Sequence, residues 1–188
     1  MIDVFKASLE DVGGIVSVAG TYAEAVNVVR KICRSVGARS VIVSRSPLID
    51  RLGLESALAN EGVIVKFTSE LTDGNALSII AQSDLGITDA LAAVAETGSV
   101  AIVTKSELDR LVSALPPVHV VLLEKGRLID SLNELGNLVS QPLTKNEPYT
   151  LSLITGPSRT ADIEEVLVRG VHGPHLFHVI VIEEFTAD

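Results

Sequence analysis

The chain has little with which to build covalent cross-links or to hold a redox centre. Its 188 residues include a single cysteine, Cys33, which rules out an internal disulfide and any cysteine-held iron–sulfur cluster within the chain. There is no tryptophan, and only four Phe and two Tyr are present, too few for a platform on which bases stack. Basic residues are outnumbered, with 15 Lys plus Arg against 24 Asp plus Glu and a formal net charge of −9. That balance argues against nucleic acid as a partner, because phosphate contacts need clustered cations. It leaves room for a small anion, for which one or two local donors suffice. Although 47% of the residues are hydrophobic, no apolar run approaches the roughly 20 residues of a membrane helix. No charged-then-apolar leader opens the sequence, and the expected location is the cytoplasm.

What is present is a long alternation of helical pattern and short apolar run. Helices are predicted over 21–34, 47–60, 75–83, 106–115 and 128–139 from apolar residues recurring at i, i+3, i+4 and i+7. Thr21 is a cap for the first of these and Gly37 a stop. Strands are predicted over 41–43, 63–67, 118–123, 151–154 and 177–182, with two more at 94–95 and 100–103 meeting at the turn Glu96-Thr97-Gly98-Ser99. Residues 1–20 are weakly patterned, with an extended entry over 12–18. Cys33 lies on the apolar stripe of the first helix and reads as a packed core thiol. Strands buried on both faces and separated by helices are the mark of β–α–β units. The predicted fold is α/β, a single domain over 1–188 with a mostly parallel open sheet covered by helices on both faces. Ligands of such sheets gather at the carboxyl ends of the strands.

The chemistry-bearing stretch is 150–183. Its strand over 151–154 runs into Thr155-Gly156-Pro157-Ser158-Arg159-Thr160. Ile163, Val166, Leu167 and Gly170 fall at helical spacing, with Asp162, Glu164 and Glu165 crowding the first turn. A helix beginning there offers free N–H groups, two hydroxyls and Arg159 to an anion; equally, Ser158 or Thr160 serves as an ordinary N-cap with Arg159 solvated. The turn matches neither the P-loop nor the dinucleotide fingerprint. A second glycine turn, Gly170-Val171-His172-Gly173-Pro174, precedes the last strand. Glu96, in a small-residue turn, is the best base or nucleophile if that turn is poor in water, though a tight turn also holds a carboxylate for structural reasons. His172 is the second titrating candidate. His172, His175 and His178 are spaced by three with His178 inside a strand, a poor arrangement for a shared metal, and no metal is assigned. His119, opening an apolar strand, reads as a satisfied core residue.

GPSRTADIE followed by GVHGP and an apolar strand closely resembles the C-terminal signature of the lactate-utilisation protein C family, the LUD-domain proteins. Gly86-Ile87-Thr88 with Ala95-Glu96-Thr97-Gly98-Ser99, and Leu115-Pro116-Pro117-Val118-His119-Val120, agree in order and spacing. The resemblance is strong over the last hundred or so residues and general over the first eighty. It implies the fold of ribose-phosphate isomerases, glucosamine-phosphate deaminases and CoA transferases. It also implies a part in oxidising L-lactate to pyruvate beside iron–sulfur partner proteins. No electron-carrying cofactor is legible in this chain, and none is assigned. The implied ligand is a small organic acid or phosphorylated molecule. Gly156, Ser158, Arg159 and Thr160 form its anion cradle, with Glu96 and His172 titrating beside it and Thr88, Thr97, Gly98, Ser99 and Gly173 completing the site. A homo-oligomer is compatible with this reading. The rivals are a stand-alone isomerase or acyl/CoA transferase using Glu96, and a non-catalytic assembly module. Two departures stand out. Leu91 occupies a position where the family usually has an acid, with Asp89 two residues earlier, and the N-terminus is short for the family, so accessory helices are expected to be missing.

Overall fold

The computed structural model describes residues 1–72, 74–140, 148–161, 167–169 and 173–184, with the backbone alone for 160, 161 and 167–169. The chain runs α1 (Ile2–Asp11), β1 (Ile15–Ala19), α2 (Tyr22–Val36), β2 (Ser40–Val43), α3 (Pro47–Leu52), α4 (Leu54–Ala59) and β3 (Ile64–Phe67). It continues through α5 (Ala76–Gln82), β4 (Leu85–Asp89), β5 (Ala92–Val94), β6 (Ser99–Thr104), α6 (Glu107–Val112), β7 (Val118–Glu124), β8 (Leu128–Ile129) and α7 (Leu132–Val139). The last elements are β9 (Thr150–Ile154), β10 (Arg159–Ala161), β11 (Leu167–Arg169) and β12 (Leu176–Ile182).

Helix starts are written locally. Thr21, Ser46, Ser106 and Ser131 each accept a backbone N–H three residues ahead, a contact of about 1 kcal/mol each. The predicted helix over 47–60 is two helices, because Gly53 takes φ 55 and caps the first. Residues 128–139 divide likewise: Leu128 pairs as β8, and the helix begins only at Leu132.

Strands β1-β12-β7-β4-β2-β3 form a six-stranded sheet in which every pairing is parallel. This is the open parallel sheet the alternation predicted. One face packs on α2, α3 and α4 through Val29, Ile49, Leu58, Val43, Ile87 and Ile180. The opposite face carries α5 and α6 over Ile42 and, beside them, α1 with a second sheet through Phe5, Leu9, Val121, Val179, Val100 and Ile102. That second sheet, of order β8-β5-β6-β9 with mixed pairing, was not separable from the first by sequence pattern. Its outer face is covered by Leu135 of α7.

The largest correction concerns the helix expected at 163–170. Leu167–Arg169 is a strand, paired antiparallel with Arg159–Ala161 (Arg159↔Arg169, Ala161↔Leu167); 162–166 and 170 lie outside the described residues. Ile163, Val166 and Leu167 matched helical spacing, but so short an apolar pattern cannot separate a helix from a hairpin arm without a surface to pack on. Arg159–Ala161 is strand, so among the described residues neither the helix-dipole argument nor the N-cap alternative finds a helix start at Ser158 to Thr160.

Candidate functional site

The motif turns converge, but at the amino rim of the parallel sheet. In the turn between β5 and β6, Thr97 Oγ1 donates to Ser99 Oγ at 2.8 Å, which lies 2.6 Å from Thr155 Oγ1 just after β9. Ser158 N–H donates to Pro174 O at 2.8 Å, ahead of β12, and a Cβ built on Gly173 would stand 3.2 Å from Ser158 Cβ. The end of α1 fits between these loops. Gly98 has φ +66, and a Cβ there would meet Leu9 N at 2.5 Å. Gly156 has φ +88, and its Cβ would meet Val12 O at 3.0 Å. Only glycine permits both the backbone conformation and the approach. The exposed Arg159 guanidinium donates to Val12 O.

Of the predicted site residues, Thr97, Gly98, Ser99, Gly156, Ser158, Arg159 and Gly173 are thus gathered around the α1 terminus. Thr160 lies in β10, and His172 lies outside the described residues. Thr88 is elsewhere: buried in β4, its hydroxyl is 2.9 Å from His119 Nε2. Glu96 does not occupy a water-poor turn. It is exposed, and its carboxylate accepts the Leu132 N–H at 2.7 Å, holding the first turn of α7. His119 packs on Phe177 with ring centroids 5.3 Å apart, and complete burial pushes its pKa down to about 3. His178, whose Nε2 is 2.9 Å from Ser17 Oγ, is pushed down to about 4 by burial. Both rings are neutral structural groups near neutral pH.

The opposite, carboxyl rim carries a cleft of about 300 Å³. Its position follows from topology. From the end of β2 the chain leaves over one face into α3, while from the end of β4 it leaves over the other into the second sheet. The adjacent strand ends therefore part, and crevices form where connections diverge. Ser44, Arg45 and Ser46 follow β2; Asp89 and Leu91 lie at the end of β4; Lys105 follows β6; and Arg127 follows β7.

The cleft's electrostatics are mixed. Arg127 Nη1 donates to Ala90 O at 3.0 Å and lies 3.9 Å from Asp89 Oδ2, while its Nε is 3.3 Å from Glu124 Oε2. Arg45 stacks 4.1 Å over Phe67 and pairs with Asp50 and Glu70. Desolvation raises the Asp89 carboxyl above the ordinary carboxylate range, against the opposing pull of Arg127 and of a hydrogen bond from Ser46. Thr104, which also lines the wall, has a buried Oγ1 with no partner among the described residues. Asp89 is visible in the sequence as the acid beside the unusual Leu91. Arg45, Lys105 and Arg127 have no local signal, because each follows a different strand and only the stacking of the two sheets brings them together.

Residues 2–182 match the family model of the LUD domain. The chain is 36% identical over 150 residues to lactate utilization protein C of Halalkalibacterium halodurans, a match covering 78% of this chain and 64% of that protein. It is 29% identical over 164 residues to the protein YkgG of Escherichia coli, covering 86% and 71% respectively. The chain thus spans about two thirds of the length of these curated relatives. Among solved structures it resembles a DUF162 family protein from Deinococcus radiodurans, with a TM-score of 0.67 at 20% identity over 97% of this chain and 96% of that one. That likeness agrees with a parallel sheet layered between helices, and the match over nearly the whole sequence decides the family: the chain belongs to the LUD-domain proteins.

Proposed function

We propose that this chain serves in lactate utilization as a subunit that binds a small organic acid anion in the carboxyl-rim cleft. The names of its relatives support the lactate role. The observation that carries the anion site is the meeting of Arg45, Lys105 and Arg127 around a half-buried carboxyl at the strand ends. Arg127 would take the ligand carboxylate through a charge-assisted hydrogen bond from its guanidinium. Partner proteins would carry the electrons, because one cysteine cannot hold an iron–sulfur cluster within this chain. The cytoplasm is the compartment this role requires. In this reading the motif loops of the amino rim, Glu96 included, secure α1 and α7 and leave the ligand to the other end of the sheet.

A thermal-shift screen against L-lactate, pyruvate, a sugar phosphate and a CoA ester tests the proposal. A ligand at about 100 times its dissociation constant stabilises the fold by about 2.7 kcal/mol, a rise in melting temperature of several degrees. Lactate or pyruvate is expected to produce it, and Arg127→Ala is expected to bind 10- to 100-fold more weakly, about 1.5–3 kcal/mol for a hydrogen bond to a charged group. A response to the phosphorylated ligands alone, or an Arg127→Ala variant that binds as the parent does, would refute it.

A further inference from the structure

We infer that Asp89 is the residue that discriminates between a 2-hydroxy acid and its 2-oxo counterpart in the carboxyl-rim cleft. The inference rests on the anion-site reading above and goes one step further, from the ligand's carboxylate to the oxygen beside it. Arg127 is the fixed point. Its Nε lies 3.3 Å from Glu124 Oε2, and its Nη1 donates to Ala90 O and lies 3.9 Å from Asp89 Oδ2. A carboxylate docked on the side of the guanidinium that faces the cleft stands beside Asp89, because Arg127 Nη1 and Asp89 Oδ2 are 3.9 Å apart. The oxygen on the adjacent carbon is then the group that meets Asp89.

The two ligand classes meet it differently. An ionised carboxylate only accepts hydrogen bonds, whereas a protonated one also donates. The hydroxyl of a 2-hydroxy acid donates to ionised Asp89 and needs no change in its charge. The carbonyl of a 2-oxo acid only accepts, so Asp89 can serve as its partner only when Asp89 carries a proton. Binding of the oxo acid therefore takes one proton from solvent onto an Asp89 oxygen, and no bond in the ligand is made or broken. The groups around Asp89 allow either state. Arg127 favours the anion, Glu124 opposes it, and Arg45, Lys105 and Asp109 line the same cleft. Burial already brings the neutral form closer to reach.

Calorimetric titration of the whole chain with L-lactate and with pyruvate, in two neutral buffers of different ionisation enthalpy, measures the proton count directly. Pyruvate is expected to take up close to one proton and to lose about tenfold in affinity for each pH unit above the Asp89 pKa. Lactate is expected to take up none and to show a flat profile. Asp89→Asn, whose amide both donates and accepts, is expected to abolish pyruvate's proton uptake and bring the two affinities within a few-fold of each other. Its melting temperature without ligand reports whether the variant is folded. Equal proton uptake by the two ligands, or an Asn variant that keeps the parent's preference, overturns the inference while leaving the anion site standing. If neither acid binds the parent chain, the site and the inference fall together.

Discussion

The two rims of the parallel sheet differ in what fills them. At the amino rim, the loops most visible in the sequence are closed by their own hydroxyls and by the end of α1, with Gly98 and Gly156 allowing backbone to lie against backbone. At the carboxyl rim, side chains with little sequence signature surround a cleft where divergent connections leave space. A motif of small residues thus reports close packing at least as readily as ligand binding, because both need a surface without a Cβ. The lesson is that the functional reading of such a motif depends on what the fold brings against it.

The sharpest way to break the contrast is Gly98→Ala. Its Cβ would fall 2.7 Å from Leu9 Cα at a φ of +66, so α1 must shift or the turn must change conformation. A loss of about 3 kcal/mol or more is expected in urea unfolding, within the range of severe steric and backbone substitutions. A change below about 1 kcal/mol would show that the amino rim is not the packed region described here.

Acid distinguishes the rims next. His119 and His178 are depressed to about 3 and about 4 in the fold from an ordinary 6.5. Their contribution to stability is therefore complete above 6.5 and is lost as pH falls from 6.5 toward 4, where only the unfolded chain takes up the protons. Each adds a slope of about 1.4 kcal/mol per pH unit within that window. Asp89, with its pKa raised, acts in the opposite sense and gains stability on protonation, but one group does not offset two. Urea midpoints at successive pH values should fall on acidification, and His119→Gln should remove about half the steepness. A flat profile would contradict the neutral, buried state of both rings.

The smallest effect is expected of Arg159→Ala. It removes the contact with Val12 O at the amino rim and should leave lactate and pyruvate affinity within about threefold, less than 1 kcal/mol. A tenfold loss would move the anion site to the motif loops and reverse the comparison.

Much of this was legible residue by residue. Thr21 wrote its own helix start, whereas Ser131, the cap of α7, was passed over inside a helix expected from 128; short runs such as Val118 to Leu123 could only be buried strands. The resemblance of GPSRTADIE and GVHGP to the LUD family held over nearly the whole chain. Less was legible where the pattern was short. β4 was missed because Gly86 and Thr88 interrupt its apolar run, and α1 because its buried face is carried by only Phe5 and Leu9. Glu96 was recognised as notable, but its partner Leu132 lies 36 positions away.

The sequence by itself determined the family, the alternation of strand and helix, the net acidic charge and the single cysteine, because these depend on composition and on neighbours within a few residues. Tertiary structure alone decided that Arg45, Asp89 and Arg127 share one cleft while Thr97, Thr155 and Ser158 share another end of the molecule. Strand order sets which distant residues stand side by side, and that order comes from how the layers bury their faces against one another.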